Sequence, residues 1–267
     1  MHPFLINTEI LGQKIVVFTG SIFTVLAVLV GGLVYFLLVP DWKQWGSHLI
    51  FLAVAAVGAL IGGKVTQFAI DLFIFREVNP LLVFVSSGST VTGGIWGGAA
   101  AILAYRVFDR KRLIGRTSYD ALGAAFMAGD ALMRVGCYFT GCCFGAVCAP
   151  SPLALTYPPE WIIPRLYGTA LPPGPRLPFP LMAAALLLVM GLMLILTARK
   201  LRRPGLAAAL FFVLYGIYRF LIEFIRDEPF RLFVGPLVFA QWFALACLAA
   251  GAGLMVYVIC RPARAPS

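Results

Sequence analysis

The chain has 267 residues, of which 61% are hydrophobic and 12% are charged, and its mean hydropathy is +0.93. Soluble domains carry about 25% charged residues, so this composition excludes an ordinary soluble protein and predicts a protein that uses the bilayer as solvent. A net charge of +10 would suggest nucleic-acid binding in a soluble protein. Here the basic residues lie between apolar stretches, where they act as topology signals. We therefore expect a membrane environment and no nucleic acid partner.

Seven apolar stretches are long enough to cross the hydrocarbon core as helices, which takes about 20 residues each. They lie at about 14–39, 47–74, 81–105, 119–142, 178–198, 206–225 and 235–260. The expected fold class is therefore all-α: a polytopic membrane protein with seven transmembrane helices. We expect a single transmembrane domain over residues 1–267.

Basic residues cluster after the third, fifth and seventh spans, which fixes the orientation. The clusters are Arg106, Arg110, Lys111, Arg112 and Arg116; Arg199, Lys200, Arg202 and Arg203; and Arg261 and Arg264. Cytoplasmic loops carry an excess of Lys and Arg, so all three clusters are expected to be cytoplasmic. The N-terminus is then outside and the C-terminus is cytoplasmic.

The loop after the fourth span, at about residues 146–177, is expected on the outer side and is rich in proline. Its prolines include Pro158, Pro159, Pro172, Pro173 and Pro175. Proline lacks a backbone donor and breaks helices, so this loop should be extended or rich in turns. It is interpreted either as a lid or entry region, or as a simple connector.

Charged residues inside the spans predict a polar site, because ionisable groups in a bilayer usually face a bundle interior or a water-filled cavity. Arg219 and Glu223 are four residues apart and share a helix face, and Arg226 continues that stripe outward. Arg134 lies in the outer half of the fourth span. We expect a cavity opening outward, in which arginine forks bind a phosphate of an anionic phospholipid. The alternative is an Arg–Glu pair that only holds helices together.

The stretch MRVGCYFTGCCFG, residues 133–145, starts a C-x4-CC-x4-C pattern formed by Cys137, Cys142, Cys143 and Cys148. It lacks the C-x2-C spacing of zinc sites and has no nearby histidine, so we expect no metal ion and no cofactor. On a continuous helix Cys137 and Cys142 would lie on different faces. A helix end at Gly141 or Gly145 would let the later cysteines fold back.

Four interpretations of these cysteines stay open. They are buried packing residues, a disulfide on the oxidising outer side, a reactive thiol activated by Arg134 and a helix terminus, and soft-metal binding by several thiolates. The small residues Gly93, Gly94, Gly97 and Gly98, at four-residue spacing, are interpreted instead as a helix-packing surface.

In chain order, five stretches resemble motifs of the prolipoprotein diacylglyceryl transferase family. They are GGK at 62–64, SGSTVTGG at 87–94, MRVGCYFTGCCFG, GLAAALFFVLYGIYRFLIEFIRDEP at 205–229, and AQW at 240–242. The resemblance implies a seven-span enzyme of the bacterial inner (plasma) membrane. Such an enzyme transfers diacylglycerol from phosphatidylglycerol to a cysteine thiol of a lipoprotein precursor, so the implied partners are that phospholipid and that precursor peptide.

Site residues are carried over only where the motifs match. The resemblance assigns essential roles at the phosphatidylglycerol site to Arg134 and Arg219. Together with the polar-residue analysis, it gives candidate catalytic residues Arg134, Arg219, Glu223, Cys142 and Cys137. The candidate substrate-binding residues are Arg134, Arg219, Arg226, Gly136, Gly141, Gly145 and Tyr215.

The chain also departs from the family pattern. Thr92 stands where the family has a histidine, Cys137 and Thr140 replace asparagines, and Cys142 replaces a glutamate. LPFPLMA at 177–183 replaces a motif with histidine, tyrosine and glutamate. Two alternative functions therefore stay open. One is a divergent relative that uses Cys137, Cys142 and Cys143 for thiol redox or another acceptor modification, and the other is a non-catalytic lipid-binding or transport protein.

Overall fold

The structure is a computed structural model that describes residues 4–10, 13–39, 44–74, 79–86, 88–108, 115–150, 152–156, 174–200, 203–227 and 231–260. The prolines at 158–173 of the outer loop, and the basic residues Arg110, Lys111, Arg112, Arg202, Arg261 and Arg264, lie outside these ranges. The helices are α1 Thr19–Leu38, α2 Trp45–Ile74, α3 Pro80–Ser86, α4 Val91–Phe108, α5 Arg116–Thr140, α6 Phe179–Lys200, α7 Leu206–Ile222 and α8 Phe239–Cys260. The strands are β1 Phe4–Ile10, β2 Gln13–Phe18, β3 Phe233–Val234 and β4 Leu237–Val238.

Each of the seven predicted spans contains a helix of at least 17 residues. Five helices in the described chain, α1, α2, α4, α6 and α8, are long and apolar enough to cross a membrane. Of the other two, α7 is apolar but has 17 residues, and α5 has 25 residues but includes Asp120, Asp130 and Arg134. The protein is thus mostly helical and polytopic.

Two predicted helix boundaries were wrong. The first span was expected from residue 14, but residues 13–18 form β2, which pairs antiparallel with β1 from Ile10↔Gln13 to Thr8↔Ile15. The run of β-branched residues at 15–17 favours a strand there. The third span was expected to be continuous, but residues 88–90 separate α3 from α4. These are Gly, Ser and Thr, which are weak helix formers, and the Thr90 N–H donates to the Gly63 carbonyl at 3.2 Å.

The described residues fall into two compact units. The first draws on Met1–Leu38, Tyr119–Pro229 and Ala244–Ser267, and the second on Val39–Ser118 and Phe230–Phe243. In the second unit, α2 and α4 approach through facing glycines. A Cβ added to Gly97 would lie 2.6 Å from the Gly62 Cα, and one added to Gly62 would lie 2.5 Å from the Gly93 carbonyl oxygen. The packing interpretation of these glycines is therefore confirmed.

In the first unit, α5 packs against α1, α6 and α7. Glycines make these approaches close. A Cβ added to Gly129 would lie 3.1 Å from the Ala27 carbonyl oxygen, and one added to Gly191 would lie 3.3 Å from the Met127 Cβ. A Cβ added to Gly123 would lie 3.0 Å from the Phe211 Cβ. The most polar of the long helices is thus enclosed by apolar ones, which places its charged residues in the protein interior.

One buried carboxylate fixes α7 against α5. The Asp120 side chain accepts the backbone N–H of Gly205 and that of Ala208, each at 2.7 Å. The first N–H groups of a helix have no partner within the helix, and Gly205, at the start of α7, has a φ of +97° and no side chain to cap it. Asp120 supplies the missing acceptor from the neighbouring helix and sets the axial position of α7.

We expect Asp120→Ala to lower the free energy of unfolding by about 2 kcal/mol, because loss of a helix cap costs about 0.5–2 kcal/mol and hydrogen bonds to a charged group somewhat more. Thermal unfolding in detergent measures this. Asp120→Asn, which keeps one acceptor oxygen, should lose less. Thr117→Ala, an exposed change on the same helix, is the control. Equal melting of the Asp120→Ala and Thr117→Ala proteins would contradict the capping role.

Gly97→Ala should destabilise the second unit, because the added methyl group would overlap the α2 backbone and force the two helices apart. Overpacking of this kind costs about 1–3 kcal/mol. Gly32→Ala in α1 is the matched control, since a Cβ there meets nothing within 4 Å. Thermal stability of the two purified variants decides the point, and an unchanged Gly97→Ala melting temperature would refute the close approach.

Candidate functional site

Five charged side chains form a buried cluster in the first unit. Arg134 and Asp130 lie on α5, with the Arg134 Nε 3.6 Å from the Asp130 Oδ1. Arg219 is on α7 and Glu223 follows it, with the Arg219 Nη1 2.8 Å from the Glu223 Oε2. The Arg226 Nη1 is 3.7 Å from the same oxygen. Asp130 also interacts electrostatically with Arg219, so the two sets form one site.

Among the described residues, the cluster has more guanidinium groups than carboxylates. Three guanidinium groups face two carboxylates, and Asp130, Arg134, Arg219 and Glu223 are each no more than 7% exposed. The predicted stripe of Arg219, Glu223 and Arg226 is present, and Asp130 adds a second acid beside Arg134. Each of these ion pairs joins residues three or four apart in one segment, so none of them holds two helices together. A site lined by three guanidinium groups, whose planar forks match phosphate and carboxylate oxygens, suits an anionic ligand.

A tight turn follows α5 and brings three cysteines together. The helix ends at Thr140, and Gly141 takes a φ of +74°. The N–H groups of Gly141 and Cys142 donate to the Cys137 carbonyl at 2.9 and 3.1 Å. The Sγ atoms of Cys137, Cys142 and Cys143 consequently all lie within 4.8 Å of one another. Gly141 thus ends the helix and lets the later cysteines fold back, while Cys148 is not part of this group.

Cys143 is held in a strained backbone conformation beside Arg134. Its φ is +63°, and it is the one non-glycine with positive φ among the described residues. Such a conformation costs an ordinary residue about 1–2 kcal/mol. The Arg134 Nη1 lies 4.0 Å from the Cys143 Sγ. Hydrogen bonding with the Cys137 and Cys142 thiols, and then the charges of Arg226 and Arg134, hold the pKa of the Cys143 thiol well below its usual range.

The segment after the cysteine turn pairs with the segment that follows α7. The Ala146 N–H donates to the Ile225 carbonyl, and the Asp227 N–H to the Phe144 carbonyl, both at 2.9 Å. Gly145 and Arg226 form the antiparallel bridge between them. A Cβ on Gly145 would lie 2.5 Å from the Leu177 carbonyl oxygen, so only glycine fits. The segment that contains the cysteines is therefore fixed to the segment that contains Arg226.

Gly136 and Tyr215, both predicted to bind substrate, lie in the interior of the first unit. A Cβ on Gly136 would lie 2.6 Å from the Phe23 Cβ, so this glycine allows α5 to approach α1. Tyr215 and Tyr218 are buried, and their hydroxyl groups have no hydrogen-bond partner among the described residues. Both interact electrostatically with Asp130, Arg134 and Arg219. They are positioned to donate hydrogen bonds to a ligand of the cluster, and their role in binding stays a prediction.

Arg176 was missed by the sequence analysis. It is 2% exposed, and its Nη1 donates to the Gly145 carbonyl at 3.1 Å and to the Asp227 Oδ2 at 2.7 Å. Its guanidinium also lies over the Phe144 ring, 5.9 Å from the centroid. The sequence feature that could have identified it is an arginine just before α6, in a loop expected on the outer side of the membrane, where Lys and Arg are not favoured. Arg176 clamps the strand-like pairing that holds the cysteine turn.

Two positions where the chain departs from the family pattern are also described. Thr92 is buried in α4, within the second unit. Thr140 ends α5, where its hydroxyl donates to the Gly136 carbonyl at 2.8 Å. His48, the one histidine in the described chain, is buried in α2 of the second unit. The first unit therefore contains cysteines, arginines and carboxylates as its candidate chemical groups.

Arg176→Met should loosen the pairing of residues 144–146 with 225–227, since it removes two hydrogen bonds from a buried charge and leaves the Gly145 carbonyl unpaired. The expected loss of stability is about 2–4 kcal/mol. Faster amide exchange at Ala146 and Asp227, measured by hydrogen–deuterium exchange, is the direct readout. Arg203→Met, at an exposed position, should leave that exchange unchanged. Unaltered protection in Arg176→Met would mean that the pairing does not depend on the clamp.

Comparison with known proteins gives a consistent result. The family model described as prolipoprotein diacylglyceryl transferase matches residues 8–257. A phosphatidylglycerol–prolipoprotein diacylglyceryl transferase 2 of Clostridium perfringens is 25% identical over 197 residues, covering 73% of this chain and 72% of the relative. The similarly named transferase of Paracidovorax citrulli is 29% identical, with 82% and 78% covered. That of Methylibium petroleiphilum is 30% identical, with 79% and 77% covered.

Proposed function

The chain belongs to the prolipoprotein diacylglyceryl transferase family, and from this membership we propose that it is a membrane enzyme acting on phosphatidylglycerol. It transfers the diacylglyceryl group of that phospholipid to a cysteine thiol of a lipoprotein precursor, and glycerol phosphate leaves. The observation that carries this proposal is the largely buried cluster in which, among the described residues, Arg134, Arg219 and Arg226 outnumber the carboxylates of Asp130 and Glu223.

A phosphodiester suits this cluster in charge and in hydrogen-bond chemistry. It is an anion, and guanidinium groups outnumber carboxylates among the described residues of the cluster. An arginine fork can donate two parallel hydrogen bonds to phosphate oxygens. In this proposal Arg134 and Arg219 bind the phosphate, and Glu223 orients Arg219 through the 2.8 Å ion pair. Arg226 and the hydroxyl of Tyr215 complete the binding site, while Gly136, Gly141 and Gly145 shape it.

The same arginines act on the reaction itself. The acceptor sulfur attacks the diacylglyceryl carbon bonded to a phosphate oxygen, so that a C–S bond forms as the C–O bond breaks. The electron pair of the broken bond stays on the departing phosphate, whose charge rises in the transition state. Fixed positive groups at that position stabilise the transition state more than the bound lipid. The acceptor thiol must also lose its proton, and in this proposal Cys137 and Cys142, whose sulfurs lie within 4.8 Å of the Cys143 sulfur beside Arg134, take part in that step.

We further propose that all seven long helices cross a bacterial inner (plasma) membrane, with the N-terminus outside and the C-terminus in the cytoplasm. The described basic residues Arg106, Arg199, Lys200 and Arg203 support this orientation, since they lie at the ends of α4 and α6 and before α7 and mark the cytoplasmic side. The end of α5 and the end of α7, where the charged cluster lies, then face the outer half of the bilayer. An exported precursor peptide arrives on that side.

Arg134→Lys and Arg219→Lys should each lower the rate of transfer by about 100-fold or more, because lysine cannot reproduce the arginine fork at a developing charge. The assay uses purified protein, phosphatidylglycerol vesicles and a lipobox peptide, with the diacylglyceryl peptide measured by mass spectrometry. Arg203→Lys, at an exposed position away from the cluster, is the control and should keep the wild-type rate. No peptide product from the wild-type protein, or wild-type rates in both cluster variants, would refute the proposal.

A further inference from the structure

The sulfur triangle of Cys137, Cys142 and Cys143 has the dimensions of a metal site. Within the part of the chain that the structure describes, it is the one group of three or more His, Cys, Asp or Glu side chains close enough to share an ion. Zinc–thiolate bonds of about 2.3 Å place neighbouring sulfurs about 3.8–4.0 Å apart in tetrahedral or trigonal geometry. The sulfur separations here are at most 4.8 Å. Changes of about 1 Å or less would therefore give three ligands to one ion.

The alternatives account for less of the geometry. A disulfide needs an S–S distance of about 2.05 Å and uses two of the three sulfurs, while all three cysteines are free thiols in this structure. Packing as small apolar side chains does not require the positive φ of Cys143, where glycine would be unstrained. Strained backbone persists where the surrounding structure has a use for it. The strained conformation of Cys143 places its Sγ within 4.8 Å of the Sγ atoms of Cys137 and Cys142.

The Arg134 guanidinium lies beside the triangle. Its Nη1 is 4.0 Å from the Cys143 Sγ, and a guanidinium at such a distance suits a thiolate, the form of cysteine that binds metal. Arg134 is therefore the member of the charged cluster that adjoins the triangle. An atom bound at the triangle is next to the group that is proposed to hold the phosphate.

We propose that Cys137, Cys142 and Cys143 bind one zinc ion through three thiolates and leave its fourth position for the thiol of the acceptor cysteine. Three protein ligands with an open position are the pattern of catalytic zinc sites, whereas structural sites use four. The inference rests on the proposed transferase function, and it adds to it the group that prepares the acceptor. It replaces our expectation from the sequence that no metal is bound.

The chemistry is balanced without an oxidant or a reductant. The three cysteines bind zinc as thiolates, and any proton that one of them still carries passes to solvent; the acceptor thiol releases its proton to solvent when it becomes the fourth ligand, since a coordinating thiol is deprotonated. The acceptor sulfur then attacks the diacylglyceryl carbon, and the C–O electron pair leaves with the phosphate on Arg134 and Arg219. The product is a thioether, a neutral and weaker ligand, which dissociates and reopens the position.

The first experiment measures metal binding independently of transfer. The full chain, reduced in detergent, is loaded with zinc, passed through a weak chelator column and analysed by elemental mass spectrometry. We expect roughly one zinc ion per chain, with at least a tenfold loss of affinity in Cys137→Ser, Cys142→Ser and Cys143→Ser. Cys148→Ser is the matched control, because Cys148 belongs to the same loop but not to the triangle. Stripping zinc from the wild-type protein and restoring it tests the site without any substitution that could impair folding.

The second experiment tests the open position. Cobalt(II) replaces zinc, and its sulfur-to-metal charge-transfer absorption reports the number of thiolate ligands. A lipobox peptide should raise that absorption from the level of three thiolates to that of four, and the same peptide with serine in place of cysteine should not. The proposal is overturned if the wild-type protein retains no zinc, or if the three serine variants retain as much zinc as the wild type. It is also overturned if two of the cysteines form a disulfide in protein isolated without reductant, or if the cysteine peptide leaves the cobalt spectrum unchanged.

Failure of the transferase proposal gives a different result. Peptide product formed at the wild-type rate by zinc-free protein, or by Cys143→Ser, overturns the zinc proposal and leaves the transferase intact. A cobalt spectrum that responds to the cysteine peptide, with no diacylglyceryl product from zinc-loaded protein in phosphatidylglycerol vesicles, supports the metal site and overturns the transfer reaction.

Discussion

The requirement to balance buried charge governs the first unit of this protein. Arg134, Arg219 and Glu223 are almost fully removed from solvent, and an unpaired buried charge costs several kcal/mol. The described carboxylates reduce this cost: Asp130 lies beside Arg134, and Glu223 serves both Arg219 and Arg226. The remaining positive charge is the feature that a phosphate-bearing lipid would neutralise. The same arginines that would favour binding of a phosphate-bearing lipid therefore destabilise the protein when no lipid is bound. Such a trade-off between stability and activity is common in enzymes.

The fold holds this site by fixing α5 and α7 to each other at two separate places. Near the start of both helices, Asp120 accepts two N–H groups from the first turn of α7. Beyond their other ends, residues 144–146 pair with 225–227, and the buried Arg176 clamps that pairing. Between these two attachments lie Arg134 on one helix and Arg219 on the other. Small displacements of catalytic groups cost large factors in rate, so attachments on both sides of Arg134 and Arg219 suit the catalytic role proposed for these two arginines.

Sequence patterns predicted the parts of the structure that depend on composition and short-range spacing. Arg219 and Glu223 were recognisable because charges in an apolar span are rare and a spacing of four residues places them on one helix face. Strand β2 was missed because apolar β-branched residues suit a strand as well as a membrane helix. The Arg176 clamp depends on contacts with residues 31 and 51 positions away in the sequence. The sulfur triangle depends on the backbone dihedrals of Gly141 and Cys143, and the C-x4-CC spacing does not encode these.

The polarity of α5 has a consequence for how the protein enters the membrane. Asp and Arg at the centre of a helix each raise the free energy of insertion by about 2.5–3.5 kcal/mol, and this helix contains Asp130 and Arg134 on adjacent turns. Such a segment is a poor substrate for the translocon when it is presented alone. In the proposed seven-span arrangement, the next helix along the chain is α6, which is long and apolar enough to cross the membrane on its own and can accompany α5 into the bilayer. In that arrangement the charges of α5 impose an order on membrane insertion: the helix that carries Arg134 becomes stable in the lipid only together with its neighbours.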